Sequence, residues 1–139
     1  AKAKSMAKKD KAKDLKTNAV RMVEAAGIEY ILHTYDAPEG FLDGVSVAEQ
    51  TGQNPEQVFK TLVLKGDKLG YLVCCIPVAE ELDLKKAAKA VSEKSIEMIK
   101  SKELLPLTGY IHGGCSPIGM KKLLKTIIHE TAQEQETIF

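Results

Sequence analysis

Two hydrophobic runs, "VFKTLVL" (58–64) and "YLVCCIPV" (71–78), lie on either side of "KGDKLG" and constrain this chain more than any other feature. Apolar runs of strand length joined by a short segment with two glycines predict a β-hairpin. The second run is apolar throughout, which predicts a strand covered on both faces. Cys74 and Cys75 are adjacent within it, so the two-residue period of a strand sends their side chains to opposite sides.

Short elements of both kinds surround the hairpin. From Thr17, Ala19, Met22, Val23 and Ala26 fall at helical spacing, and Gly27 is placed to end that helix in a left-handed conformation. "IEYILHTYD" (28–36) alternates and predicts a strand. "SVAEQTG" predicts a short helix, with a capping box from Ser46 to Glu49 and a stop at Gly52. "NPEQ" predicts a turn ahead of the hairpin. Asp83 is positioned to cap a helix whose buried stripe is Leu84, Ala87, Ala88 and Val91, leaving Lys85, Lys86 and Lys89 outside. "SIEMIKSKEL" predicts a short strand and a helical turn, "TIIHE" a further strand, and "ETIF" (136–139) the start of another. Strands that alternate irregularly with short helices predict an α+β domain rather than a doubly wound parallel sheet.

A chain of 139 residues accommodates one domain, and its 44% hydrophobic and 28% charged content is that of a soluble globular protein. No apolar run is long enough to span a bilayer and no signal-peptide pattern opens the chain, so a cytoplasmic location is expected. Met6 reads as the native start. The net charge of +1 is unevenly spread: residues 1–16 hold seven lysines against Asp10 and Asp14, leaving about −4 for residues 17–139. Residues 1–16 therefore read as a basic, flexible leader, either simply solvated or touching phosphates without specificity, ahead of a single domain over 17–139. Cys74, Cys75 and Cys115 form no disulfide framework, and His33, His112 and His129 are too scattered for zinc-ligand spacing. Reduced thiols, no metal and no cofactor are expected. With no GxGxxG or Walker loop present, a nucleotide-binding fold has no support.

Two places could carry chemistry. Lys60 lies on the strand side of Leu62 and Leu64, and an ammonium there costs free energy unless it reaches water or an anion. It is either an edge lysine with a snorkelling stem or a cation at a pocket mouth, ready for a carboxylate or phosphate. The loop "TGYIHGGCSPIGMKK" (108–122) places Gly113 and Gly114 before Cys115, Ser116 and Pro117. Such a loop is either a plain turn or a concavity of main-chain N–H groups suited to an anion or oxyanion. A nucleophilic Cys115 would need a base, for which His112 is the nearby candidate by sequence. A cysteine that merely packs is the better reading.

In order along the chain, "VFKTLVLKGD", "PVAEELDLKKAAKA" and "TGYIHGGCSPIGMKK" closely resemble the YbaK/EbsC family of aminoacyl-tRNA deacylases, relatives of the editing domain of prolyl-tRNA synthetases. The likeness runs from about Thr17 to Phe139. It implies an α+β domain with a strongly curved mixed sheet, barrel-like, flanked by short helices and enclosing a small pocket. It implies removal of mischarged amino acids from tRNA in trans, with cysteinyl-tRNA for proline as the substrate of the YbaK branch. Carried over by motif, Lys60, Gly113 and Gly114 form the catalytic set, and Tyr35, Ser116 and Pro117 the substrate-binding set. The scheme proposed for that branch has the substrate thiol attack its own ester, an effect of orientation rather than activation. Partners so implied are the acceptor end of tRNA and prolyl-tRNA synthetase. A deacylase for alanine or another small amino acid, and a non-catalytic tRNA- or synthetase-binding module, are the alternatives. In the family a strand continues beyond the "ETIF" position and carries a serine and an aspartate that border the pocket. Either the native chain continues past Phe139 with these residues, or it lacks that wall.

Overall fold

A computed structural model describes residues 16–35 and 43–139. Residues 1–15 of the expected 1–16 leader and the last residue of the expected 28–36 strand lie outside these limits.

The hairpin forms as its two runs require. Strands β1 (Phe59–Gly66) and β2 (Tyr71–Pro77) pair antiparallel from Phe59↔Pro77 to Lys65↔Tyr71. Strand β3 (Ile96–Met98) pairs antiparallel with the end of β1, and β4 (Lys125–Ile128) pairs parallel with β2. The sheet is therefore mixed, in the order β3-β1-β2-β4. With helices packed around it, the domain has the α+β architecture expected of it.

Strand β2 is central and buried on both faces. Leu64, Leu72 and Cys74 face the buried side of helix α3 (Leu84–Ala90), where Ala87, Ala88 and Val91 cover them. Val63, Val73 and Cys75 face the opposite way and meet Leu104 and Leu107 of helix α4 (Ser101–Thr108). The adjacent cysteines thus serve two separate cores. A third, smaller cluster joins Val58 and Val78 to Ala48 of helix α2 (Gly44–Thr51).

Helix α1 (Asn18–Ala25) is capped by Thr17; Gly27 follows at φ +71, the left-handed conformation expected of it. Gly52 ends α2 at φ +70, but the cap of α2 is Asp43, not Ser46. The Asp43 carboxylate accepts the Ser46 N–H at 3.0 Å and the Ser46 hydroxyl at 2.8 Å. A charged carboxylate three residues earlier captures the free amides and starts the helix ahead of the expected box. Leu84 is also corrected: as the first residue of α3 it is 40% exposed, and burial of the stripe begins one turn later.

Residues 28–35 form no strand. Ile28, Tyr30, Ile31 and Leu32 are exposed, and the segment's hydrogen bonds to described residues are local. Ile28 N–H donates to the Val23 carbonyl and the Tyr30 hydroxyl to Glu24. Alternation selects a face only where a neighbouring backbone supplies a ladder, and among the described residues none lies against this segment. At the other end of the chain, Phe139 donates its N–H to the Gln57 carbonyl and accepts the Phe59 N–H, both at 2.7 Å. This is a single step of parallel pairing within "ETIF", with no strand assigned there. Among the described residues, no helix is long and apolar enough to cross a membrane.

Candidate functional site

Helix α4 ends at Thr108, whose buried hydroxyl donates to the Leu104 carbonyl at 2.8 Å and accepts the Tyr110 N–H at 3.1 Å. The chain leaves the helix through Gly109 at φ +84, and the Thr108 carbonyl accepts the Lys121 N–H at 3.0 Å, closing the long loop onto its own start. Within it, the Gly114 N–H donates to the Ile111 carbonyl at 3.0 Å and Gly113 adopts φ +82. A side chain at residue 113 would be strained there. The Ser116 hydroxyl accepts the Ile118 N–H at 3.1 Å, bridging Pro117 in a serine turn.

This loop forms one wall of a cavity of about 580 Å³. The floor is β1 from Phe59 to Val63, a second wall is Asp43, Gly44 and Val47 of α2 and its cap, and a third is Met98 to Ser101 with Leu104. Tyr35, Lys60 and Gly113 all line it, although they are far apart in sequence. Gly114, Ser116 and Pro117 do not line it; their bonds shape the turn that presents Gly113.

The strand pairing explains how β1 can serve as a floor. Gly66 donates to Gly70 and Val58 accepts from Val78, so even-numbered residues of β1 make the ladder with β2. Odd-numbered residues turn their main-chain groups the other way, where Ile99 N–H reaches the Val63 carbonyl at 3.3 Å. The Thr61 and Cys75 side chains then share a closely spaced pair, with Oγ1 and Sγ 3.9 Å apart. Lys60 is half-buried beside them, its neighbours Phe59 and Thr61 facing the loop.

Cys115 also lines the cavity, half-buried against the Val63–Val73–Leu104 cluster. Burial pushes its thiol pKa up, with Cys75 adding to the effect and a hydrogen bond with Thr108 opposing it. At neutral pH it is a thiol, poorly suited to attack. Lys60 and Lys100 bring positive charge to the cavity. The Asp43 carboxylate is committed to Ser46, which lowers its pKa. Among the described residues, no group of three or more His, Cys, Asp or Glu could hold a metal ion.

Sequence reasoning passed over Asp43, Thr61 and Lys100. Thr61 was legible as the neighbour of Lys60, but Lys100 reaches the cavity only because Ile99 extends the β3 pairing alongside Val63, which local patterning does not reveal.

Residues 43–139, well over half of the chain, match the model of the aminoacyl-tRNA editing domain. The chain is 49% identical over 123 residues to a provisionally named Cys-tRNA(Pro)/Cys-tRNA(Cys) deacylase, EbsC, of Enterococcus faecalis, covering 88% of this chain and 75% of that relative. Among solved structures, a provisionally assigned trans-editing enzyme for prolyl tRNA synthetase superimposes with a TM-score of 0.71 at 26% identity, over 87% of this chain and 77% of its own. The hypothetical protein APE2540 shares the fold alone, with a TM-score of 0.73 at 18% identity over 86% and 78% of the two chains. The chain belongs to the aminoacyl-tRNA editing domain family.

Proposed function

We propose that this protein is a deacylase that clears mischarged cysteinyl-tRNA for proline in trans, the substrate thiol attacking its own ester. The observation that carries the reading is the meeting of Lys60, Tyr35 and Gly113 around one cavity, in a chain 49% identical to a relative named for Cys-tRNA(Pro)/Cys-tRNA(Cys) deacylation.

In this reading Lys60 holds a phosphate at the acceptor end and Tyr35 borders the aminoacyl group. The Gly113 N–H, which has no acceptor among the described residues, faces the ester carbonyl oxygen. The substrate sulfur bonds to the carbonyl carbon and the bond from that carbon to the ribose oxygen breaks. The thiol proton passes to the departing ribose oxygen, leaving free tRNA and a four-membered thiolactone that water then opens. The enzyme supplies orientation, which for an intramolecular nucleophile is the larger part of the barrier. No protein nucleophile is required, in keeping with a protonated Cys115. Such a reaction belongs in the cytoplasm, where tRNA is charged. Residues 17–139 carry a net charge of about −4, so tRNA affinity gains from a complex with prolyl-tRNA synthetase.

The test is deacylation of cysteinyl-, alanyl- and seryl-tRNA for proline, side by side, by the wild type and Lys60→Ala. Preferential loss of cysteine, abolished in the variant, is expected. Equal rates on all three would refute the thiol route, and tRNA binding without release would make the protein a binding module.

A further inference from the structure

We infer that Lys100 is a second phosphate-binding position of the same cavity, gripping the single-stranded RNA next to the phosphate held by Lys60; this rests on the functional reading above.

The inference begins from charge. Residues 17–139 carry a net charge of about −4, yet among the described residues the cavity lining holds two lysines, Lys60 and Lys100, against one carboxylate, Asp43. Asp43 accepts the N–H of Ser46 on one oxygen and the hydroxyl of Ser46 on the other, so both oxygens are engaged at the start of α2. A cavity that concentrates cations in an acidic body favours a polyanion over a neutral ligand.

Position supports this. Ile99 N–H donates to the Val63 carbonyl at 3.3 Å, continuing the antiparallel register of Leu64↔Met98 by one step. The next step sets Lys100 beside Leu62, two residues along β1 from Lys60 and so roughly 7 Å away along the strand. Two lysine arms so spaced suit neighbouring phosphates of one extended chain. Lys100 is exposed at the rim, whereas Lys60 is half-buried. The deeper cation then meets the terminal, aminoacylated nucleotide and the outer one the nucleotide before it.

The main chain at Lys100 is held independently of its side chain. Its N–H donates to the Glu103 carboxylate and its carbonyl accepts the Glu103 N–H, both at 2.9 Å. Replacing the ammonium therefore leaves the helix start intact. Glu103 does not line the cavity.

The experiment compares wild type, Lys100→Gln and Lys100→Arg on cysteinyl-tRNA for proline across a range of salt, alongside binding of uncharged tRNA. Loss of one exposed phosphate contact is expected to raise KM about fivefold with kcat within about twofold. The log–log salt slope should become shallower by about 0.7, and Lys100→Arg should restore both. Unchanged KM and slope in Lys100→Gln, or a loss confined to kcat, overturns the inference. Absence of deacylation by the wild type would refute the functional reading instead, and the salt slope of tRNA binding would still decide for or against Lys100.

Discussion

The phenolic oxygen of Tyr110 accepts the Ala19 N–H at 3.0 Å and donates to the Ile118 carbonyl at 2.6 Å, joining the first turn of α1 to the loop that carries Gly113. Thr17 satisfies the Val20 N–H in the same turn, so two of the free amides of α1 are answered, one of them from 91 residues away. Gly119 permits the approach: a Cβ there would lie 3.0 Å from the Ala19 nitrogen. Tyr110→Phe should keep the packing of the ring, orphan both main-chain groups and cost about 1–3 kcal/mol. Urea unfolding checks the magnitude, and faster amide exchange at Ala19 would tie the loss to this contact.

Gly44 sits where α2 meets the end of the hairpin, and a Cβ on it would fall 2.7 Å from Cγ1 and 2.8 Å from Cβ of Val78. A β-branched side chain has little freedom to retreat. Gly44→Ala should therefore destabilise by about 1–3 kcal/mol, despite the better helix propensity of alanine. A lowered thermal midpoint, restored in part by Val78→Ala, is the expected result.

Burial pushes the Cys74 thiol up to about 11, with Cys75 adding a smaller push in the same direction. The folded state therefore holds its proton where the unfolded chain releases it. Stability is fully present below the ordinary thiol value and declines as pH rises toward 11. The decline attributable to Cys74 is about 2–3 kcal/mol. Urea midpoints between about pH 8 and pH 11 should fall less steeply for Cys74→Ala than for the wild type.

Cys115 lines the cavity, but its raised pKa leaves it protonated. Cys115→Ala should retain deacylation within about threefold while losing about 1–2 kcal/mol of stability, the methyl group being smaller than the thiol it replaces. Loss of activity by orders of magnitude, with folding intact, would instead make this thiol a participant.

The hairpin, the two-sided burial of β2, the cap at Asp83 and the glycine stops at Gly27 and Gly52 were all legible locally, because each depends on a few neighbouring residues. The strand expected over 28–36 was not a sound inference, since alternation describes one segment and pairing needs two. Ser46 was misread for a related reason: Asp43 competes for the same amides, and only the folded start of α2 decides between them.

The amino-acid order alone established an α+β domain built on one hairpin, with a lysine in a hydrophobic strand and a loop rich in glycine. Whether these belong together was a matter for the tertiary structure, because Lys60 and Gly113 are linked by no local rule. The ladder parity of β1 turns its odd-numbered main-chain groups away from β2, and the closure of Thr108 on Lys121 holds the loop in place. Together these bring Lys60, Gly113 and the unforeseen Lys100 around a single cavity.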